Sequence, residues 1–129
     1  MPATFSGAAI MVADIDRSTA FYTELLDLEV LYRFDFETLT EVIVGTPGGA
    51  SFLLAHHMDR DTPIDVTDGL EKLMFLTDDV HALYERIIAT GAESIRPPAR
   101  STHGVAVVIA FVRDPDGYPL ELIELVESA

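Results

Sequence analysis

The feature that most restricts this chain is an internal repeat. Residues 7–13 form a short apolar segment ended by Asp14, the pattern of a strand. Residues 14–17 offer a helix N-cap and negative charge in the first turn. Ala20, Phe21, Leu25 and Leu28 recur at helical spacing and predict an amphipathic helix of about three turns. Residues 29–36 and 39–44 are rich in strand formers. The turn Thr46-Pro-Gly-Gly49 then leads into residues 50–55 as a hairpin, because Pro presets φ and the glycines admit positive φ.

The same order then recurs. Leu73-Met-Phe-Leu76 reads as a strand and Asp78-Asp79 as a cap. Val80, Leu83, Tyr84, Ile87 and Ile88 form a helical apolar face, and Gly91 is suited to end that helix in the left-handed conformation. Residues 94–96 and 105–112 read as strands, and Asp114-Pro-Asp-Gly117 turns the chain into a last strand at 120–126. Pro47 matches Pro115, Gly49 matches Gly117, Leu53 matches Glu121, and Asp14 is matched with Asp78. The expected fold is α+β, with two βαβββ repeats of about sixty residues forming paired curved mixed sheets with outer helices. One domain over 1–129 is expected, with repeats at about 5–58 and 70–127 and a polar linker at about 59–69 containing Pro63. The inner sheet faces lack a helix to cover them, so the space beside them is expected to hold a small molecule.

Composition narrows the function. The 129 residues include 22 acidic and 8 basic side chains, a net charge of −14, which repels phosphate backbones and excludes nucleic acid as a partner. With no cysteine there are no disulfides, thiol nucleophiles or thiolate metal sites. No apolar run is long enough to cross a bilayer, and the first residues lack the pattern of an export signal. A cytoplasmic protein without a membrane partner is expected.

Two segments carry a resemblance. Val12-Ala-Asp-Ile-Asp-Arg-Ser-Thr-Ala-Phe-Tyr-Thr-Glu-Leu-Leu and Val108-Ile-Ala-Phe-Val-Arg-Asp-Pro-Asp-Gly-Tyr-Pro-Leu-Glu-Leu-Ile-Glu124 resemble the vicinal oxygen chelate superfamily. That superfamily includes glyoxalase I, methylmalonyl-CoA epimerase, extradiol dioxygenases, fosfomycin-resistance enzymes and bleomycin-binding proteins, and the likeness is greatest to glyoxalase I. The resemblance implies a small-molecule ligand and a homodimer. It also implies a Ni²⁺ or Zn²⁺ site built from the first and last strands of each repeat, at Gly7, Leu53, Lys72 and Glu121. Of these only Glu121 is a metal-ligand type. One carboxylate beside an ammonium does not satisfy a divalent cation, so no metal and no other cofactor is expected there. A second departure is Asp27, which stands where the family helix usually ends in glycine.

Glu121 and Lys72 are the expected catalytic residues. Glu121 is the general base for a proton next to a carbonyl, and Lys72 stabilises the enolate oxygen. The plainer alternative is a salt bridge satisfying two half-buried charges. Expected ligand contacts are Leu53, His57, Tyr32, Phe34, Met74, Phe111 and His103 in the loop Ser101-Thr-His-Gly104. His57 shares a strand face with Leu53 and Ala55, about 13 Å beyond Leu53. His56 points oppositely and reads as a surface residue, as does His81 in the first turn of a helix. Whether Tyr32 and Phe34 face the pocket depends on register. A relocated metal site from His57, His103 and Glu121 is the remaining metal alternative.

Two functions stay open. One is a metal-independent isomerase, epimerase or lyase acting on a small carbonyl compound. The other is a bleomycin-resistance-type protein that binds an antibiotic or toxin without changing it, for which the charge of −14 suits a cationic drug. The same charge disfavours anionic glutathione conjugates, although Arg33, Arg96, Arg100 and Arg113 leave room for a local basic spot.

Overall fold

A computed structural model describes residues 6–66, 70–101 and 106–126. The chain divides into two compact units, Met1–Ile64 and Asp65–Ala129. Each holds one βαβββ repeat, so the fold is α+β as the repeat predicts.

In the first unit, β1 (Ala8–Met11) is followed by α1 (Ile15–Ala20), which runs into a π-helical turn at Phe21–Leu25. Then come β2 (Glu29–Asp35), β3 (Leu39–Gly45) and β4 (Ser51–His57). The sheet order is β1-β4-β3-β2, with β1 parallel to β4 and the other pairs antiparallel. The second unit repeats this with β5 (Leu73–Leu76), α2 (Val80–Ala89), β6 (Ser94–Ser101), β7 (Val107–Arg113) and β8 (Pro119–Leu125) in the order β5-β8-β7-β6. The parallel pair follows from the helix, because a crossover returns the chain in the same direction.

One face of each sheet packs on its helix. In the first unit Ile10, Val12, Val42, Val44 and Leu54 are buried with Ile15, Phe21 and Tyr22. Tyr22 lies edge-on to Phe52, with ring centroids 5.1 Å apart. In the second unit Ala110, Val112, Leu120 and Leu122 are buried with Val80 and Ile87. Burying each such side chain contributes about 1.5–3 kcal/mol. Residues of opposite parity lie on the other face, which we call the open face.

The helices depart from the sequence reading in three ways. The α1 helix and its π turn stop at Leu25, so Leu28 is not on the helical face. A π turn carries more residues per turn, and this rotation buries Tyr22 beside Phe21. Leu28 instead donates its amide to the Tyr22 carbonyl at 3.1 Å, and Asp27 closes the segment at φ 57°, the left-handed conformation usually left to glycine. The cap of α2 is Asp79, so the equivalent of Asp14 is Asp79, not Asp78. Asp14 accepts from the Arg17 amide and Asp79 from the Ala82 amide, each at 3.0 Å. Gly91 ends α2 at φ 91°, as its position suggests.

The hairpin turns also repeat. The Thr46 amide donates to Ala50 O at 3.1 Å and the Asp114 amide to Tyr118 O at 2.9 Å. Strand β6 is longer than residues 94–96, and Pro97 and Pro98 fall where its register shifts on this edge strand. No helix among the described residues is long and apolar enough to cross a membrane.

The Arg17 amide holds the Asp14 carboxyl below its ordinary value, with the Arg17 charge assisting and desolvation opposing. A lowered folded-state value gives stability that is present above the ordinary carboxylate range and lost as pH falls through the lowered value. Asp14→Ala is therefore expected to cost about 1 kcal/mol at neutral pH. In urea titrations at descending pH, the gap between variant and parent should close on acidification.

Candidate functional site

The registers place the residues of interest. On the second sheet, Met74 pairs with Glu121, Glu121 with Phe111, and Phe111 with Arg96. These four form one row across the open face, and Lys72 stands two residues before Met74 on the same side. Lys72 Nζ lies 3.0 Å from Glu121 Oε1. The Glu121 side chain is 11% exposed and that of Lys72 29%, so the pair is mostly withdrawn from water but reachable. Lys72 is the only lysine in the chain. The Lys72 ammonium and the Arg96 guanidinium each lie 5.7 Å from the centre of the Phe111 ring. Arg96 has no ion-pair partner among the described residues. The cluster thus joins a buried carboxylate, a lysine that neutralises it and a further cation across one aromatic ring.

The corresponding row of the first sheet is Tyr32, Ile43, Leu53 and Ala9. Leu53 occupies the place of Glu121, Ile43 that of Phe111, and Gly7 that of Lys72. A shallow space of about 280 Å³ lies along the β1–β4 pair, lined by residues 6–9 and 51–53 with Ile43. The register also settles the direction of Tyr32 and Phe34, which point to the open face with Leu53. His57 is exposed at the end of β4 on that face. Met74 is exposed beside Glu121. His103 lies outside the described residues.

His56 is not a plain surface residue. Its Nδ1 accepts the Ile15 amide, the first of α1, at 3.3 Å. In the second unit Glu124 Oε1 accepts the Val80 amide, the first of α2, at 2.9 Å. Each last strand thus ties down the start of its own helix. The sequence signal was available: both residues lie three positions beyond the matched pair Leu53 and Glu121.

A model for the Glyoxalase/Bleomycin resistance protein/Dioxygenase superfamily matches residues 4–122. The chain belongs to this superfamily. A probable lactoylglutathione lyase of Synechocystis is 33% identical over 120 residues, covering 89% of this chain and 90% of that protein. A lactoylglutathione lyase of Neisseria meningitidis is 31% identical, covering 89% of this chain and 86% of that protein. The crystal structure of maize glyoxalase I superposes with a TM-score of 0.82 at 30% identity, covering 95% of this chain. This chain spans 45% of the maize chain, and similarly less than half of several plant relatives.

The metal implied by the glyoxalase I resemblance does not fit these residues. Leu53 and Gly7 offer no donor. Gly7 adopts φ 154°, a backbone that other residues rarely take, and a Cβ there would sit 3.2 Å from the Ser51 carbonyl oxygen. Lys72 already occupies Glu121 Oε1. Among the described residues no group of three or more His, Cys, Asp or Glu side chains is placed to hold a metal.

Removing one member of a partly buried pair strands the other, so Lys72→Met is expected to destabilise by about 1–3 kcal/mol. The double variant Lys72→Met/Glu121→Leu should recover most of that loss, as denaturant midpoints will show. Equilibrium dialysis with Ni²⁺ or Zn²⁺ is expected to give no stoichiometric site that Glu121→Gln abolishes.

Proposed function

We propose that the chain is a metal-independent, glyoxalase-like isomerase, epimerase or lyase that moves a proton next to a carbonyl on a small substrate. The observation that carries this reading is the Lys72–Glu121 contact on an open sheet face. A substrate carbonyl oxygen arriving at Lys72 Nζ receives a charge-assisted hydrogen bond and releases Glu121 from part of its pairing. The freed carboxylate takes the proton from the adjacent carbon. The negative charge that develops on oxygen is met by Lys72, and Glu121 returns the proton to the same or the neighbouring carbon. Arg96 suits an anionic group elsewhere on the substrate, such as a carboxylate. The relatives named as lactoylglutathione lyases point to a glutathione adduct, whereas the net charge of −14 points to a smaller compound that meets only this local basic cluster.

Phe111 and Met74 are assigned to the ligand wall on the second sheet, and Leu53, Tyr32, Phe34 and His57 to ligand contact on the first. His103, outside the described residues, is retained as a ligand contact. A single cytoplasmic domain acting as a homodimer completes the reading, supported by the family and by the exposed apolar side chains on the open face of the first sheet. A second reading is binding without turnover, favoured by a set of positions in which only Glu121 is a metal-ligand type.

The test is solvent exchange. In D₂O, 2-oxobutanoate and the methylglyoxal–glutathione adduct are followed by proton NMR. Incorporation of deuterium or formation of product is expected, and Glu121→Gln should lower it by about 10²–10⁴ with binding largely kept. Exchange that survives Glu121→Gln overturns the role of Glu121, and ligands that bind but return unaltered favour the second reading.

A further inference from the structure

The chain carries seven arginines and one lysine. That lysine is spent on a buried carboxylate, with Lys72 Nζ 3.0 Å from Glu121 Oε1. Arginine is the better partner where a buried pair only holds a fold, because its planar fork meets both carboxylate oxygens and keeps its charge. Lysine has one capacity that arginine lacks: its nitrogen can give up a proton and become a nucleophile. With no cysteine in the chain, no thiol competes for that part.

The surroundings of Nζ suit such a role. Glu121 is a base within hydrogen-bond reach of the proton to be removed. The Lys72 side chain is mostly withdrawn from water yet reachable, and the Phe111 ring walls it, its centre 5.7 Å from Nζ. Arg96 lies 5.7 Å from the same ring centre and has no ion-pair partner among the described residues. Its charge persists when Lys72 loses a proton, so it can hold a carboxylate whose neighbouring carbonyl meets Nζ.

We propose that Lys72 forms a protonated imine, a Schiff base, with a small aldehyde or 2-oxo acid, Arg96 receiving the acid's carboxylate. The inference deepens the function proposed above and rests on it for the substrate class, with a covalent bond in place of the hydrogen bond to oxygen. Glu121 takes one ammonium proton, and the freed lone pair on Nζ bonds the carbonyl carbon while the C=O π pair moves to oxygen. Two of the three ammonium protons pass through Glu121 to that oxygen, the C–O bond breaks with its electron pair, and water leaves. The imine keeps the third proton, and Glu121 is again a carboxylate. No oxidant or reductant is consumed. The positive imine nitrogen then draws electrons from the adjacent carbon, whose proton Glu121 takes, and water reverses the bond to release product.

The experiment treats the full chain with 2-oxobutanoate, and separately with butanal, in the presence of sodium cyanoborohydride, which reduces an imine to a stable amine. Peptide mapping by mass spectrometry separates Lys72 from the chain's α-amino group. One adduct per chain at Lys72 is expected, formed at least about tenfold faster than on Nα-acetyllysine. Glu121→Gln should slow it by about 10²-fold or more. Arg96→Gln should slow trapping of 2-oxobutanoate by about three- to tenfold and leave that of butanal unchanged. Circular dichroism verifies that the variants stay folded. No adduct at Lys72, a rate no higher than that of Nα-acetyllysine, or an equal rate in Glu121→Gln overturns the proposal, and equal trapping of 2-oxobutanoate in Arg96→Gln overturns the place of the carboxylate. Lys72→Arg separates this inference from the function it rests on, since it keeps the charge but forms no imine. Deuterium exchange into 2-oxobutanoate that is lost in Lys72→Arg supports the covalent role. Exchange that persists there overturns that role and leaves the proposed function standing, whereas an adduct at Lys72 without exchange in the parent upholds the Schiff base and overturns the proposed function.

Discussion

A backbone amide at the start of each helix is tied to a side chain on the last strand of its own repeat. Ile15 donates to His56 and Val80 to Glu124. This tie holds helix and strand in one register, and register decides which side chains meet the open face. A slip of one residue in β8 would turn Glu121 toward the helix and bring an apolar neighbour, Leu120 or Leu122, out to replace it. The parallel pairing of β5 with β8 then brings Lys72 to the Glu121 carboxylate. The candidate chemistry thus depends on a contact that lies on the other side of the sheet.

The two sheets use one geometry for opposite ends. On the second, the row Arg96, Phe111, Glu121 and Met74 is charged, and its lysine and glutamate offset each other. On the first, the matching row Tyr32, Ile43, Leu53 and Ala9 is apolar, and glycine replaces the lysine. Where the glyoxalase I resemblance implies a metal, the first repeat carries Gly7 and Leu53 and the second an ion pair of Lys72 with Glu121. On the proposed reading, the Lys72–Glu121 contact serves as a local proton acceptor beside a local positive charge.

Much of the fold was legible before any coordinates. The caps and turns are local chemistry, so Asp14, Gly91 and the Pro-Gly turns declared their roles, and the repeat made each half a check on the other. What was hidden was hidden for local reasons too. The π turn at Phe21–Leu25 has no compositional signature, and it moves the buried face by one residue onto Tyr22. The pairing of Asp14 with Asp78 missed by one because two adjacent aspartates compete for one cap, and only the hydrogen bond to the Ala82 amide chooses between them. His56 read as a surface residue because its partner, the Ile15 amide, is 41 residues away in sequence.

The sequence by itself determined the α+β class and the two repeats, which depend on residue type and spacing, and its two quoted segments carried the likeness to the family. The tertiary structure alone decided that Lys72 and Glu121 touch, that Arg96 shares the Phe111 ring with Lys72, and that Tyr32 and Phe34 stand on the open face. Those are cross-strand relations. A strand's alternation tells which residues share a side, but only its hydrogen-bonded neighbours tell which side that is.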